Sequence, residues 1–242
     1  GPSTMQEQID RVIDAEIIIN TGRIIDWPAI ALRALPKLRM MTTSSIGTDM
    51  IDLIVASELG VVVCNQPGRT ARIVAEHIIA LMLAAAKRVA FQTSEVKKGR
   101  WTGMRNITLQ SKKLGVIGTG NVGREVARIA KAIGMEVIAW TFNPSPERAR
   151  QLGVRFVGLD ELLGQADYVS LHVALTHDTR HLIGEAQLAR MKSGAVLLNG
   201  ARGPVVDLDA LAAALDRYDI EISNDQAQWI EQYCQLLWQW NE

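Results

Sequence analysis

The chain has 242 residues, with 26 basic and 26 acidic side chains that give a formal net charge of zero. This length can bury a substantial core and fits one large domain or two small ones. The charges form no long run of one sign, which argues against a nucleic-acid-binding surface and against a polybasic membrane anchor. We find no stretch of about 18 apolar residues, so we expect neither a membrane span nor a membrane partner.

The two cysteines, Cys64 and Cys234, lie in apolar surroundings and lack the spacing of metal ligands. This use of cysteine is typical of free buried thiols in a reducing compartment. We therefore expect a cytoplasmic protein without a metal site.

Taken in chain order, short apolar runs rich in β-branched residues alternate with longer helical patterns, as in parallel βαβ units. The first series predicts strands at residues 15–20, 38–44 and 61–65, with a helix at 48–59 between the last two. Residues 73–98 then predict one long helix. Apolar residues occupy nearly every face of its first half, so we predict that it is buried at a domain or subunit boundary.

A second alternating series begins at residue 113 and predicts a larger sheet. Its predicted strands are residues 113–118, 136–140, 154–157, 168–173, 195–201 and 219–223. Its predicted helices are residues 121–134, 146–152, 159–165, 185–191 and 207–217. Strands that are apolar on both faces suit a sheet that helices cover on each side. The pattern therefore indicates an α/β fold with a doubly wound parallel sheet.

The segment "GVIGTGNVG" places a glycine-rich turn between a predicted strand and a predicted helix, which is the setting of a dinucleotide-binding turn. We expect Gly118 to permit the tight turn, Gly120 to let a pyrophosphate approach the backbone, and Gly123 to let the helix pack on the sheet. Amides near Asn121 and Val122, at the positive end of the helix dipole, are expected to hold phosphate. The alternative is a purely structural turn, and we favour a site for NAD or NADP.

The end of the next predicted strand lacks the acidic residue that usually binds the ribose 2′-hydroxyl in NAD sites. Thr141 and Asn143 stand at that place, and we expect them to border the cofactor. Without a carboxylate, a 2′-phosphate is not repelled, and Arg148 or Arg150 is a candidate for attracting one. The alternative is that both arginines lie on a solvated helix surface, so the choice between NAD and NADP stays open.

Four stretches of the chain resemble the D-isomer-specific 2-hydroxyacid dehydrogenase family, which includes D-3-phosphoglycerate and glyoxylate/hydroxypyruvate enzymes. They are "SSIGTDMIDL", "VVVCNQPGRTARIVAEHIIALML", "GVIGTGNVG", and "SLHVALTHDTRHLIG" followed by "LARMKSGAVLLNGARGPVVDLDAL". Their order and spacing fit the family over residues 35–217. The tail from about Tyr218 departs from the pattern.

The resemblance implies two domains, a dinucleotide-binding Rossmann domain and a flavodoxin-like substrate domain. On this basis we expect residues 5–72 to form a partial flavodoxin-like substrate domain. Residues 73–223, which include the long helix at 73–98, are expected to form the Rossmann domain, and residues 224–242 a divergent tryptophan-rich C-terminal helix. Family chains carry additional βα units, so the resemblance implies a chain that is truncated at both ends relative to the family.

The resemblance further implies hydride exchange between a nicotinamide and the CH–OH group of a 2-hydroxyacid, or the reverse reduction of a 2-oxoacid. Arg202 in "NGARG" takes the role of the catalytic arginine, because a planar guanidinium suits a carboxylate. The alternative is a surface or helix-capping arginine. The implied substrate-binding residues, through their backbone amides, are Ser45, Ile46 and Gly47. The implied residues that border the cofactor are His172, Val173, Ala174, Gly200 and Ala201, with Ala174 in place of the usual proline.

The family's two other catalytic residues, an acid and a histidine, have no match in this chain. The four histidines lie elsewhere in the family's pattern: His77, His172, His177 and His181. Glu231 lies near the family's separation from Arg202, but the helical spacing around it favours a side chain that faces solvent. We therefore expect impaired hydride chemistry, since loss of a positioned acid–base group typically costs about 10²–10⁴-fold in rate.

Two other functions stay open. The first is a non-catalytic dinucleotide-binding or partner-binding module derived from the family, in which the tryptophan-rich tail contacts a partner or packs on its own chain. The second is an active site completed by another subunit, or a non-redox reaction. The resemblance also implies a homodimer formed through the dinucleotide-binding domain.

Overall fold

The structure, a computed structural model, describes residues 4–21 and 26–216 of the chain. The described residues divide into two compact units, with the boundary between Thr70 and Ala71. The predicted last strand and the predicted tail helix lie outside the described residues. The predicted limits of the substrate domain (residues 5–72), the Rossmann domain (73–223) and the C-terminal helix (224–242) stay predictions.

Among its described residues, the first unit has three short strands and three helices. The helices are α1 (Met5–Val12), α2 (Ala29–Arg33) and α3 (Leu53–Glu58). The strands β1 (Ile17–Asn20), β2 (Met40–Thr43) and β3 (Val62–Cys64) form a parallel sheet in the order β1-β2-β3. The sequence predicts all three strands but neither α1 nor α2. Helix α3 is shorter than predicted because Asp52 caps it, accepting a 3.0 Å hydrogen bond from the amide of Val55.

The two faces of this sheet differ in burial. On one face, Ile18 and Met41 are buried in a core that includes side chains of the helices. On the other face, the strand register places Ile17, Met40 and Val62 in one row. Ile17 is 59% exposed and Val62 is 58% exposed. Since both faces of parallel sheets are normally covered, this row is an apolar surface that the described residues leave open.

The second unit contains a five-stranded parallel sheet with helices on both faces. Its strands are β4 (Lys113–Ile117), β5 (Glu136–Trp140), β6 (Arg155–Phe156), β7 (Tyr168–Leu171) and β8 (Val196–Asn199). Its α-helices among the described residues are α4 (Ala71–Lys87), α5 (Val89–Lys97), α6 (Asn121–Ala132), α7 (Pro146–Leu152), α8 (Leu159–Gln165), α9 (Glu185–Arg190) and α10 (Leu208–Asp216).

The strand order β6-β5-β4-β7-β8 means that the chain reverses its direction across the sheet at β4. Neighbouring residues of β4 enter two separate cores, with Val116 on the face covered by α4 and α6 and Ile117 on the face covered by α8 and α9. Both residues are fully buried. The predicted α/β fold with a doubly wound parallel sheet is confirmed.

The prediction of one helix at residues 73–98 is wrong, because α4 and α5 are separated at Arg88. Arg88 adopts the left-handed conformation, with φ of 52°. The carbonyl of Ala86 accepts a 3.0 Å hydrogen bond from the amide of Ile107, a residue of the returning chain. In a continuous helix that carbonyl would accept from the amide four residues ahead. A tertiary contact therefore ends α4, and only this first helix contributes several side chains to the core.

Candidate dinucleotide site

The glycine-rich turn from Gly118 to Gly123 lies at the carboxyl end of β4, where the strand order reverses. Ligands of open α/β sheets bind at this kind of position. The amide of Gly118 donates to the carbonyl of Trp140 at the end of β5 over 2.9 Å. On the other side, the amide of His172, which follows β7, donates to the carbonyl of Ile117 over 2.7 Å. The turn is therefore fixed between the ends of both neighbouring strands.

The three glycines of the turn have different surroundings. Gly118 has a φ of +94°, and a Cβ there would lie 2.8 Å from the carbonyl oxygen of His172. A Cβ on Gly123 would lie 2.0 Å from the carbonyl oxygen of Gly118. A Cβ on Gly120 would meet no atom within 4 Å, and this residue is exposed. The packing of the chain itself thus excludes side chains at Gly118 and Gly123, whereas the space at Gly120 is open to a ligand.

Helix α6 begins directly after Gly120, which has no side chain to cap it. The amides of Asn121 and Val122 therefore stand at the positive end of a 12-residue helix, the arrangement that favours a bound phosphate. The side chain of Asn121 accepts a 2.6 Å hydrogen bond from Arg124. Together with the open space at Gly120, this helix end fits the diphosphate of a dinucleotide.

The residues predicted to border the cofactor after β5 lie on the same edge of the sheet as the glycine-rich turn. Thr141 is half-buried and Asn143 is exposed. The guanidinium of Arg148, from α7, donates to the side chain of Thr119 and to the backbone carbonyl of Asn143. Arg148 is therefore bound between the two segments and is not a solvated surface arginine, whereas Arg150 is exposed.

The predicted residues after β7 and β8 lie next to the glycine-rich turn. Their side chains differ in burial. A Cβ on Gly200 would lie 2.9 Å from the ring of His172, so these two residues are in contact. Val173 and Ala201 are buried in a core of the unit, so their side chains are not available to a ligand. Ala174 is exposed.

The ring of His172 is not placed to exchange protons. Its Nε2 atom lies 2.8 Å from the hydroxyl of the fully buried Ser170, and its Nδ1 atom is buried without a hydrogen-bond partner among the described residues. Burial lowers the pKa of His172 to about 3. The imidazole is therefore neutral at physiological pH and acts as part of the wall behind the turn.

Arg202 follows β8 and directly precedes a short 3₁₀ helix, Gly203–Val205. Its Nη1 atom donates a 3.0 Å hydrogen bond to the carbonyl of Ala201, and the residue is half-buried. The side chain of Asn199 holds this turn, accepting from the amide of Ala201 (3.0 Å) and donating to the carbonyl of Arg202 (2.8 Å). Asn199 is not among the predicted site residues. The tendency of asparagine to bond the backbone two residues ahead is the feature that would have indicated it.

The predicted substrate-binding segment lies in the first unit, after β2. The amide of Ser45 donates to the hydroxyl of Thr43 over 3.1 Å, and the hydroxyl of Ser45 donates to the carbonyl of Gly47 over 2.9 Å. The amides of Ile46 and Gly47 are therefore the remaining donors of the predicted set. The side chain of Asn65 fixes the segment by donating to the carbonyl of Ile46 over 2.7 Å.

The three other histidines are half-buried, exposed to solvent or placed beside a helix-capping carboxylate. His77 is half-buried on α4, and His177 is fully exposed beside Asp178. His181 has its Nδ1 atom 3.5 Å from the carboxylate of Asp207. That carboxylate also accepts from the amide of Ala210 and so serves to cap α10.

Within the described part of the chain, no helix is both long and apolar enough to cross a membrane. The same residues contain no group of three or more His, Cys, Asp or Glu side chains that could hold a metal ion.

The family model described as "D-isomer specific 2-hydroxyacid dehydrogenase, NAD binding domain" matches residues 79–225. Because this match spans more than half of the chain, the protein belongs to the D-isomer-specific 2-hydroxyacid dehydrogenase family. The predicted family and the predicted NAD(P) cofactor are confirmed.

The chain is 40% identical to a D-3-phosphoglycerate dehydrogenase of Archaeoglobus fulgidus over 217 residues, which cover 85% of this chain and 41% of that protein. It is 37% identical to a glyoxylate reductase of Korarchaeum cryptofilum, with 89% of this chain and 66% of that protein covered. Among solved structures, a D-lactate dehydrogenase from Aquifex aeolicus complexed with NAD and lactic acid has a TM-score of 0.81 at 35% identity, with coverages of 86% and 63%. The chain therefore spans less than half of the first relative and about two thirds of the other two.

Substituting two glycines of the turn separately will distinguish packing from ligand binding. We expect Gly123→Ala to destabilise the protein by roughly 1–3 kcal/mol or more, since its methyl group meets the carbonyl of Gly118. Gly120→Ala should change stability by less than about 0.5 kcal/mol. It should nevertheless weaken NADH or NADPH binding about tenfold or more, because the methyl group enters the space expected for the pyrophosphate. Urea unfolding and fluorescence titration measure the two effects, and unchanged binding by Gly120→Ala would contradict the placement of the diphosphate.

The burial of His172 predicts a pH dependence of stability. Because the folded pKa of about 3 lies below the ordinary value of 6.5, the unfolded chain binds more protons between these two values. The free energy of unfolding should therefore fall as the pH falls below 6.5, and this part of the slope should disappear in His172→Gln, which is neutral throughout. Urea unfolding between about pH 4 and 7 measures it, with the exposed His177→Gln as the control. Equal slopes for wild type and His172→Gln would contradict a buried neutral ring.

Proposed function

We propose that the protein is an NAD(P)-dependent oxidoreductase that acts on the CH–OH group of a 2-hydroxyacid, and that this chain is catalytically impaired. The observation that carries the proposal is the glycine-rich turn at the strand reversal, with open space at Gly120 and helix amides behind it. The relatives named D-3-phosphoglycerate dehydrogenase and glyoxylate reductase, and the solved D-lactate dehydrogenase, support the class of substrate.

Arg202 is the residue of this site that we propose to act on the substrate. A bound nicotinamide supplies or accepts the hydride. The guanidinium of Arg202 pairs with the substrate carboxylate in a planar, bidentate manner and so orients the carbon that reacts. Asn199 positions Arg202 through its two hydrogen bonds to the turn. Carboxylate binding by the amides of Ile46 and Gly47 stays a separate proposal for the first unit.

We propose impairment because no histidine of the chain is placed to transfer the proton that accompanies the hydride. All four histidines of the chain are in the described residues, and none combines exposure with a position on the glycine-rich turn. His172 contacts Gly118 and Gly200 but is neutral and buried. Without a positioned acid–base group, turnover should be about 10²–10⁴-fold slower than with one.

A second candidate is a non-catalytic module that binds a dinucleotide or a partner. Exposed apolar side chains on α5 and the segment that follows it favour this function. Val89 is 49% exposed, Val96 is 58% exposed and Trp101 is 93% exposed. Surfaces of this kind are found where proteins associate.

We propose that the partner at this surface is a second copy of the chain, in a homodimer of the cytoplasm. The segment around Trp101 is held in place by the nearly buried Glu95, which accepts hydrogen bonds from Arg100 and Thr102. The hydrogen bond from Arg100 contributes most to a lowered pKa of Glu95, and the hydrogen bond from Thr102 lowers it further. Because the residues on either side of Trp101 are fixed in this way, the segment loses little conformational freedom on association, which favours Trp101 as an anchor.

Cofactor binding and turnover together test the proposed activity. We expect NADH or NADPH to bind, and glyoxylate, hydroxypyruvate or pyruvate to be reduced at well below the typical rate of about 10 s⁻¹. Arg202→Ala should abolish this turnover without changing nucleotide affinity, whereas Arg180→Ala, at an exposed position, should change neither. A rate at the typical level would contradict impairment. Nucleotide binding without turnover would favour the non-catalytic module, and absence of binding would reject both the enzyme and a module that binds a dinucleotide.

Light scattering at increasing protein concentration tests the homodimer. We expect the mass to double with concentration, and Trp101→Asp to weaken the dimer about tenfold or more, as anchor residues do. Ile133→Ser, at an exposed apolar position directly after α6, should leave the dimer unchanged. A mass that stays at that of one chain would contradict the proposal.

A further inference from the structure

Arg148 joins the two segments that would enclose the adenosine end of a dinucleotide. Its Nη2 atom donates to the hydroxyl of Thr119 (2.7 Å) and to the carbonyl of the same residue (3.4 Å), within the glycine-rich turn. Its Nη1 atom donates to the carbonyl of Asn143 (2.6 Å), just beyond β5. The guanidinium also lies 5.9 Å from the ring centre of Phe156, a contact that helps to fix its plane. A half-buried cation is therefore held at the junction of the two segments.

The charge of Arg148 is not neutralised by any acidic side chain among the described residues. Its described side-chain hydrogen bonds all go to neutral oxygen atoms, of Thr119 and Asn143. The neighbouring carboxylate, Glu147, instead accepts a hydrogen bond from Gln151. A guanidinium has five N–H donors, and the Nε–H of Arg148 has no partner in the described part of the chain. Partial burial makes an unpaired cation costly, so an anion at this position would be strongly favoured.

The ribose next to adenine is the part of a dinucleotide that reaches this junction. In a Rossmann fold, a carboxylate at the end of the second strand accepts the 2′-hydroxyl of NAD, whereas a nearby arginine accommodates the 2′-phosphate of NADP. Residues 141–145 of this chain are "TFNPS" and contain no acid. A 2′-phosphate therefore meets a fixed cation here and no fixed anion from this segment.

We propose that Arg148 binds the 2′-phosphate and that the protein selects NADP(H) over NAD(H). This inference rests on the proposed dinucleotide site and adds the specificity of that site. The hydrogen bonds to Thr119 and Asn143 hold the guanidinium before the ligand arrives, so little of its freedom is lost on binding. The remaining N–H groups make charge-assisted hydrogen bonds to the phosphate.

Direct titration with NADPH and NADH tests the selectivity, with 2′,5′-ADP and 5′-AMP as competitors that differ only in the 2′-phosphate. We expect wild type to bind NADPH at least about tenfold more tightly than NADH. Arg148→Gln should weaken NADPH binding about 10- to 100-fold, the loss typical of a charged hydrogen-bond partner, and NADH binding by less than about threefold. Arg148→Lys should restore part of the NADPH affinity, and Arg150→Gln, on the same helix, should change neither.

Asn143→Asp gives an independent test, because Arg148 contacts only the backbone of that residue. The new carboxylate should repel the 2′-phosphate and accept the 2′-hydroxyl, so the ratio of the two affinities should shift towards NADH. Asn143→Asp and the ratio of NADPH to NADH affinity in wild type test the selectivity even if Arg148→Gln does not fold.

Three results would overturn the inference without affecting the proposed function. They are equal or tighter binding of NADH by wild type, an equal loss of both nucleotides in Arg148→Gln, and an unchanged ratio in Asn143→Asp. An equal loss would show that Arg148 only connects the two segments. Failure of wild type to bind either nucleotide would instead reject the proposed function itself.

Discussion

The close approach of helix α6 to the end of strand β4 is the constraint on which the site depends. Gly123 stands so near the carbonyl of Gly118 that a Cβ would lie 2.0 Å from it, and Gly118 itself has a φ of +94°. Two residues without side chains are therefore needed within six positions of the chain. Their contact brings the free amides of α6 to the edge where β4 lies between β5 and β7. The apolar packing beneath, with Val116 and Val126 fully buried, keeps the helix at this position.

The second unit could be predicted largely from the sequence because its features are local. Most of its strands are apolar runs, and three of its described helices, α5, α6 and α7, end next to a glycine with a positive φ, namely Gly99, Gly134 and Gly153. Features that depend on distant contacts could not be predicted in this way. The break at Arg88 occurs because Ile107, 21 positions after Ala86, takes the carbonyl that a continued helix would use. The short helix α2 has no such local pattern, since it has five residues and begins after Pro28.

The same distinction applies to the candidate site. The glycines of the turn and Arg202 stand in recognisable segments, so the sequence could nominate them. The role proposed for Arg148 depends on a hydrogen bond to Thr119, 29 positions earlier, which helical periodicity does not reveal. The neutrality of His172 depends on burial among Ile78, Ser170 and Gly200, which come from three separate segments. Sequence patterns thus locate the residues, whereas contacts between segments decide their charge state and their specificity.

Nucleotide binding and hydride chemistry make different demands on such a fold. The proposed diphosphate site consists of backbone amides of one strand–turn–helix unit, and Arg148 reaches the same turn from the next helix, so the proposed binding needs only neighbouring parts of one sheet. Proton transfer needs a side chain of suitable pKa at the reacting oxygen, and burial removes His172 from that role. A chain of this family can therefore retain its nucleotide affinity while its turnover is low. In the proposed function, nucleotide affinity and turnover rate are for this reason separate properties, and the charge of Arg148 would act on the affinity alone.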